Sequence, residues 1–177
     1  FKERFGAMSS SGYDSSIAAI YSEADVFFSK KMAAKVGVRA SNNDLLNETT
    51  FSPRVSLAYK IAKNSQLSFA YGDFNQTPSV EYVKYSKFHQ FESEKAQHYI
   101  FNYQYNHENK TLRAEMYYKN YDNLVQYQEN VPQFNSVYSN MGSGYAKGLD
   151  LFWRDGKTIK NLEYWVSYSY IDTKRDY

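Results

Sequence analysis

The sequence predicts an all-β protein, an antiparallel up-and-down meander of about eight strands, from three observations. Apolar and polar residues alternate along successive segments, aromatic residues make up 19% of the chain, and short connections alternate with long ones. Alternation with a period of two gives each strand one apolar and one polar face. Tyr, which occurs 19 times, joins an apolar ring to a polar tip and suits a strand that meets both lipid and headgroups. Together these features favour a transmembrane β-barrel.

The clearest hairpin is predicted between residues 51 and 72. Val55, Leu57 and Tyr59 alternate with small or charged residues, and the pattern resumes at Leu67 and Phe69 after a short turn at 62–64. The same reasoning predicts strands over 16–28, 32–41, 51–61, 67–72, 98–106, 112–119, 148–154 and 162–170, the sixth of them continuing past Leu124.

The predicted connections differ in length in a regular way. They are short at 29–31, 62–64, 107–110 and 155–160, and long at 42–50, 75–96 and 123–143. In a meander this places every tight turn at one end and every long loop at the other, as in outer-membrane barrels. We predict strands of about ten residues, which fits a tilted membrane strand of roughly 9–11 better than a soluble strand of about 5–6.

Composition excludes several classes of protein. The 21 basic and 19 acidic residues leave a net charge of +2 without a basic patch, so no nucleic-acid partner is expected. The chain has no Cys and hence no disulfide framework or thiolate metal site. No apolar run approaches the roughly 20 residues of a membrane-spanning helix. Residues 1–10 show neither an initiator Met nor a signal-peptide pattern, so we expect a piece of a longer chain.

Several blocks of sequence resemble one family. They are Ser52-Pro53-Arg54 with the following hairpin, Tyr71-Gly72, Thr77-Pro78-Ser79, Glu92 to Ala96, Tyr117 to Val125, Asn140-Met141-Gly142 and Tyr145 to Leu151. In this order they are similar to the barrel of TonB-dependent outer-membrane receptors, from about Tyr21 to Tyr170. Asn75-Gln76-Thr77 departs from the Phe-Arg-Ala-like run that is common there, which leaves the subfamily open. The richness in Lys, Asn and Tyr resembles Bacteroidetes members.

The resemblance implies a large barrel of about 22 strands closed around a plug domain. Residues 1–177 are then expected to be a partial outer-membrane β-barrel domain, without the plug and the remaining strands. The implied function is uptake of a scarce nutrient, such as a metal chelate, cobalamin or a glycan, across the outer membrane of a Gram-negative bacterium. Expected partners are outer-membrane lipid, the TonB complex through the missing N-terminal region, the nutrient ligand and a surface lipoprotein.

Two other readings of the sequence stay open. The first is a self-contained eight-stranded outer-membrane barrel acting as an adhesin, a structural anchor or an enzyme, which needs its first and last strands to pair. The second is a soluble, tyrosine-rich, ligand-binding barrel of lipocalin type, which would have shorter strands and unsorted loops.

Residues that could carry chemistry are few. His89, His98 and His107 lack metal-ligand spacing, and we expect them in loops or the lumen. Glu23 and Asp25 share a polar face and could form a carboxylate pair, but pairing with Lys or Arg on a neighbouring strand is the expected arrangement. No catalytic, cofactor-binding or metal-binding residue is predicted, no cofactor is expected, and the substrate-binding residues stay unassigned.

The remaining candidates are cationic or aromatic. Arg39, Arg54, Arg113 and Arg154 fall on predicted polar faces, where they could contact a plug or guide an anionic substrate, or simply be tolerated because charge is costly on the lipid face. The aromatic residues of the long loop, which could stack on a ligand or pack the loop against itself, are Tyr82, Tyr85, Phe88 and Phe91. The face predicted to meet lipid contains Val36, Val38, Val55, Leu57 and Tyr168.

Overall fold

The computed structural model describes residues 15–79, 82–83, 91–127 and 138–176, and it contains one antiparallel sheet. Its strands are β1 (Ile17–Phe27), β2 (Met32–Asn43), β3 (Glu48–Ala62), β4 (Ser65–Gln76), β5 (Glu94–His107), β6 (Lys110–Tyr127), β7 (Tyr138–Asp155) and β8 (Tyr164–Arg175). Their order in the sheet is their order in the chain, from β1 to β8. The predicted all-β meander of eight strands is confirmed.

The sheet is open at both sides in the part of the chain that the structure describes. β1 and β8 are its edge strands, and each inner strand pairs with its two sequence neighbours. An eight-stranded barrel that closed on itself would need β1 to pair with β8, and the described strands do not pair in that way.

The strands are longer than the predicted ten residues, with 11 in β1 and 18 in both β6 and β7. β7 begins at Tyr138 rather than near Gly148, and β6 continues past Leu124 as predicted. The sequence pattern is broken here because the β6–β7 register shifts between Tyr121 and Leu124 and again before Gln126. Each shift moves the side chains to the other face, so the period of two cannot be followed through it.

The predicted long loop at 42–50 is wrong. β2 extends to Asn43 and β3 starts at Glu48, which leaves only 44–47 as the connection. The ends of both strands consist of polar residues, which have the composition of a loop. In the structure the Asn42 amide donates to the Thr49 hydroxyl at 3.0 Å, which connects the two strand ends. The strict alternation of short and long connections therefore fails at this position.

We call the two ends of the sheet the turn end and the loop end. The turn end carries the connections 28–31, 63–64, 108–109 and 156–163, and the loop end carries 44–47 and the described residues 77–79, 82–83 and 91–93.

The strand register divides the sheet into two faces. Val36 pairs with Val55, and Val55 pairs with Tyr71, so these residues share one side, which we call the apolar face. Arg39 pairs with Ser52, and Arg54 pairs with Gly37, on the opposite side, which we call the polar face. All five residues predicted to meet lipid lie on the apolar face: Val36, Val38, Val55, Leu57 and Tyr168.

The apolar face is not covered by any other part of the described chain. Val36 is 49% exposed, Met116 54% and Tyr168 54%. A sheet face whose large apolar side chains are about half exposed is costly in water and indicates an apolar environment such as lipid. No helix among the described residues is long and apolar enough to cross a membrane.

Residue type changes along a row of paired positions on the apolar face. The row runs from Val55 through three tyrosines on β4, β5 and β6 to charged residues on β7 and β8, and its members are Val55, Tyr71, Tyr99, Tyr118, Lys147 and Asp172. Barrel strands tilt by about 35–45°, so a membrane boundary crosses the register rows obliquely. This row follows the change that such a boundary produces, from apolar through aromatic to charged side chains.

Candidate functional site

Two arginines lie close together on the polar face. Arg39 of β2 pairs across the ladder with Ser52, two positions before Arg54 of β3. Both arginines are exposed, and within the described part of the chain no carboxylate lies within ion-pair distance of either. The nearest carboxylate along this surface, Glu23, is paired with Lys35, so the two guanidinium groups give this area a local positive charge.

Arg54 is the first member of a stack of side chains. Its guanidinium carbon lies 4.9 Å from the centre of the Phe74 ring, and the Phe74 ring centre lies 4.5 Å from that of His98. The sheet permits this contact because Gly72, opposite Arg54, has no side chain. A Cβ at Gly72 would lie 3.1 Å from the Phe74 ring.

Two cavities adjoin this stack. One of about 220 Å³ is bordered by Arg54, Phe74 and His98. A second of about 330 Å³ lies at the loop end, between Arg39 and Arg54 on one side and Thr77 and Ser93 on the other. Guanidinium groups that share a cavity with an aromatic ring can bind an anionic group attached to a flat organic body.

One lysine of the neighbouring strand partly neutralises the two carboxylates of β1. Lys35 Nζ lies 2.6 Å from Glu23 Oε1 and 3.5 Å from Asp25 Oδ1. The two acids therefore share one ammonium, which is the expected cross-strand pairing. The geometry is that of exposed ion pairs on a polar face.

The other two candidate arginines differ from Arg39 and Arg54. Arg154 donates through Nε to Glu163 Oε1 at 2.6 Å, so its charge is compensated. Arg113 lies on the polar face opposite Gln104 and Phe152 and has no carboxylate within ion-pair distance in the described region. It is separated from the Arg39–Arg54 cavities and lines neither of them.

The histidines do not meet in one place. His98 stacks on Phe74, and His107 Nδ1 lies 2.8 Å from the Asn64 amide nitrogen at the turn end. His89 lies outside the described residues. In 15–79, 82–83, 91–127 and 138–176, no group of three His, Cys, Asp or Glu could hold a metal ion.

An apolar cluster joins the connections at the loop end. Phe91, Val125 and Tyr138 form its centre, with Tyr138 0% and Val125 1% exposed. The partly buried residues Leu46, Tyr82 and Val83 pack against it. The Tyr138 ring centre lies 5.9 Å from that of Tyr82 and 6.0 Å from that of Phe91. Of the candidate loop aromatics, Tyr82 and Phe91 thus pack the loop, while Tyr85 and Phe88 lie outside the described residues.

Polar contacts beside this cluster centre on Asn140 of β7, and we call them the Asn140 clamp. Its Oδ1 accepts the Glu92 backbone N–H at 3.1 Å, and its Nδ2 donates to the carbonyls of Glu92 at 3.2 Å and Asn123 at 2.9 Å. The Asn123 amide donates to Glu92 Oε2 at 3.0 Å. Asn123 has a φ of 57°, in the left-handed region that Asn tolerates better than most residues. The Ser93 N–H donates to Glu48 Oε2 at 2.9 Å, which adds β3.

At the turn end, the carboxylate of Asp155 has several hydrogen-bond partners. It accepts hydrogen bonds from the Thr158 hydroxyl and the backbone N–H groups of Thr158 and Lys157, and Lys110 Nζ lies 3.3 Å away. These donors, the Thr158 hydroxyl first, hold the pKa of Asp155 well below its usual value. The side chain stabilises the β7–β8 connection.

Sequence reasoning placed the arginines on the right face but missed their surroundings. Phe74, Ser93 and Asn140 were not identified as site residues, although Ser93 and Asn140 belong to the blocks that resemble a family. The sequence offers one signal for the Asn140 clamp: Glu92, Asn123 and Asn140 each lie in a block that resembles the family. The structure brings these three blocks together.

The polar face, the exposed apolar face and the open meander define a segment of a transmembrane barrel. The chain belongs to the family described as TonB dependent receptor-like, beta-barrel, whose pattern matches residues 2–177. No curated protein sequence matches it.

Solved structures with a similar fold are outer-membrane receptors and transporters. The siderophore receptor PirA from Pseudomonas aeruginosa superposes with a TM-score of 0.78 at 10% identity, over 91% of this chain and 35% of that one. The FrpB iron transporter from Neisseria meningitidis gives 0.73 at 13%, over 91% and 25%. FauA, the alcaligin receptor from Bordetella pertussis, gives 0.69 at 17%, over 91% and 30%. The chain thus spans about a quarter to a third of the structures that it resembles.

Proposed function

We propose that this chain is part of an outer-membrane transporter that takes up a scarce nutrient with energy delivered through TonB. The eight strands are then part of a larger barrel with a plug domain, in the outer membrane of a Gram-negative bacterium. Family membership, the two open sheet edges and the lengths of the similar structures support this proposal. Its partners are outer-membrane lipid, the TonB complex, the nutrient and a surface lipoprotein.

Among metal chelates, cobalamin and glycans, we propose an anionic metal chelate as the nutrient. The observation that carries this choice is the pair Arg39 and Arg54, which face the lumen side without a carboxylate partner in the described chain and border a cavity with Phe74. A carboxylate chelate supplies the negative charge that the two arginines would bind, and a catecholate chelate supplies in addition a flat ring able to stack on Phe74. Similar structures are described as siderophore receptors and iron transporters, which agrees with this class.

The test is uptake by cells that produce the full-length protein. Radiolabelled ferric citrate, a ferric catecholate, cyanocobalamin and a maltodextrin are offered to wild-type cells and to cells without TonB. We expect TonB-dependent uptake of a ferric chelate. In the variant with Arg39→Ala and Arg54→Ala, uptake of that chelate should fall about tenfold or more, since charged hydrogen-bond partners are lost.

The matched control is Arg154→Ala, because Arg154 is an arginine of the polar face whose charge Glu163 already compensates. Its uptake should stay within about twofold of wild type. If cells take up only cyanocobalamin or only maltodextrin, the proposed metal chelate is wrong and that compound is the nutrient. TonB-independent uptake, or a native protein of only 20.7 kDa in the outer membrane, would contradict the transporter proposal itself.

A further inference from the structure

We propose that the turn end of the sheet binds phospholipids with anionic headgroups, in the membrane leaflet that this end borders. The contact is made by four lysines of the turn-end connections: Lys30, Lys31, Lys63 and Lys160. The inference rests on the proposed function for the membrane location, and it does not depend on the identity of the nutrient.

Charge is distributed unevenly among the connections of the chain. The four connections of the turn end contain five lysines and two acidic residues. The sequence intervals after β2, β4 and β6 instead contain two lysines and four acidic residues. Cationic segments beside a membrane are attracted to a leaflet that carries anionic lipid. The turn end is therefore the end that suits such a leaflet.

The carboxylates of the turn end already have partners. Glu108 pairs with Lys157, and Glu163 accepts a hydrogen bond from Arg154. The Asp155 carboxylate accepts from Thr158 and lies 3.3 Å from Lys110 Nζ. Within the described chain, no carboxylate lies within ion-pair distance of the four lysines that we assign to lipid. Their charges are thus available to an anion outside the chain.

Hydrogen bonds within the connections fix the backbone that carries these lysines. The Ser29 hydroxyl accepts the backbone N–H groups of Lys31 and Met32, each at 3.1 Å. In the β7–β8 connection, the Leu162 N–H donates to the Ile159 carbonyl at 3.2 Å, on either side of Lys160. All four lysines are exposed. Their ammonium groups can reach an external phosphate without rearrangement of the turns.

Exposed apolar residues stand beside the lysines in two of the connections. Phe28 is 61% exposed and precedes Lys30, while Ile159 and Leu162, 50% and 48% exposed, flank Lys160. At a membrane surface the apolar side chain enters between the acyl chains, and the neighbouring ammonium group binds the headgroup. A soluble acidic partner would use the lysines but would not require these apolar neighbours. The combination favours a lipid leaflet.

The spread of the lysines also favours a leaflet over a single small anion. The β1–β2 and β7–β8 connections lie six strand spacings apart in the sheet. At about 4.8 Å for each spacing, the four lysines are distributed over roughly 30 Å of the sheet end. One small anion cannot contact all of them, whereas a leaflet offers a separate headgroup to each.

The lipid selectivity of the full-length protein in bilayers tests the proposal. The protein is reconstituted in phosphatidylcholine with a trace of spin-labelled phosphatidylglycerol or spin-labelled phosphatidylcholine, and electron spin resonance gives the ratio of the two association constants. With all four lysines changed to Gln, this ratio should fall at least about twofold, because each lysine beside an anionic surface favours binding by up to about fivefold. An unchanged ratio would overturn the proposal.

Two control variants separate charge from other effects of substitution. Changing the same four lysines to Arg keeps every charge and should keep the wild-type ratio. Lys35→Gln with Lys119→Gln removes two cations of the polar face and should also keep it. A fall in either control as large as that in the Gln variant would overturn the proposal. If the fourfold Gln variant does not assemble, Lys30→Gln with Lys31→Gln replaces it and the same outcomes decide.

The surroundings of Ile159 distinguish lipid from a soluble acidic partner. Ile159→Cys, in a full-length protein without other cysteines, carries an NBD fluorophore in vesicles that contain phosphatidylglycerol. Lipids with a nitroxide on the headgroup should quench it at least about twofold more strongly than the same fluorophore at Ser56→Cys on the polar face. Equal quenching at the two positions would place the connection in water and overturn lipid as the partner.

Failure of this inference can be told apart from failure of the proposed function. Unchanged lipid selectivity in the Gln variant, together with TonB-dependent uptake of a ferric chelate, would overturn the lipid contact alone. A fall in selectivity in the Gln variant of a protein that takes up no nutrient would overturn the transporter and support the lipid contact.

Discussion

The middle of the sheet and its loop end are built on different principles. In the middle, side chains alternate between a polar and an apolar face, and residues as large as Met116 and Tyr168 are more than half exposed. At the loop end, Phe91, Val125 and Tyr138 are buried in a small core. The comparison indicates that the middle depends on backbone hydrogen bonds and its surroundings, whereas the loop end is stabilised by its own packing.

The largest expected effect separates the two faces in the middle of the sheet. Val36→Arg places a charge on the apolar face, where it costs about 2–4 kcal/mol near the membrane midplane, and should block assembly. Arg39→Ser on the opposite face should assemble normally. Heat-modifiable migration of outer-membrane extracts measures both, and equal tolerance at the two positions would contradict a lipid-facing sheet.

The next effect is confined to the loop end. Tyr138→Ala empties a fully buried site and should cost about 3 kcal/mol of local stability, because the small core cannot refill the space. Protease digestion of the assembled protein should then cut the connections faster while the sheet stays intact. Tyr168→Ala, at a position that is 54% exposed, is the control and should leave digestion unchanged. Failure of Tyr138→Ala to assemble would mean that the two regions are not independent.

These two regions also differ in how far the sequence predicts them. The meander, the strand faces and the side of Arg39 and Arg54 follow from a period of two, which holds wherever the ladder is regular. The pattern fails where Asn123 takes a positive φ and the β6–β7 register shifts. It also fails where polar strand ends such as Asn42 and Thr49 pair with each other, because such residues are equally common in loops.

The stack of Arg54, Phe74 and His98 could not be predicted for a related reason. It joins three strands, so it depends on the register of two hairpins at once. The β3–β4 register shifts between Lys60 and Ala62, and a shift of one residue would have placed Phe74 on the other face.

A smaller effect is expected at the turn end, where Asp155 stabilises a connection by hydrogen bonds. Its pKa lies below the ordinary value of 3.8, so its contribution to stability is complete above about pH 3.8 and is lost as the pH falls through the lower folded-state pKa. Asp155→Asn should therefore lower the urea midpoint of the detergent-solubilised protein at pH 7, and the difference from wild type should narrow below pH 3.8. A difference that does not depend on pH would contradict the charged hydrogen-bond account.

The smallest effect is expected for Lys35→Met in the middle of the polar face. Its ion pairs with Glu23 and Asp25 are about half exposed, so water screens them. The thermal unfolding midpoint should fall by no more than about 2 °C. A much larger fall would mean that ion pairs of the polar face, rather than backbone hydrogen bonds, hold the middle of the sheet together.

The most direct test of the central claim, that one face meets lipid and the other water, compares two adjacent residues of β3. Val55→Cys and Ser56→Cys in the assembled full-length protein each carry a nitroxide spin label, and collision with oxygen and with a water-soluble nickel chelate is measured. The account predicts that the label at Val55 collides mainly with oxygen and the label at Ser56 mainly with the nickel chelate, since oxygen concentrates in lipid. Similar accessibility at both positions would contradict it.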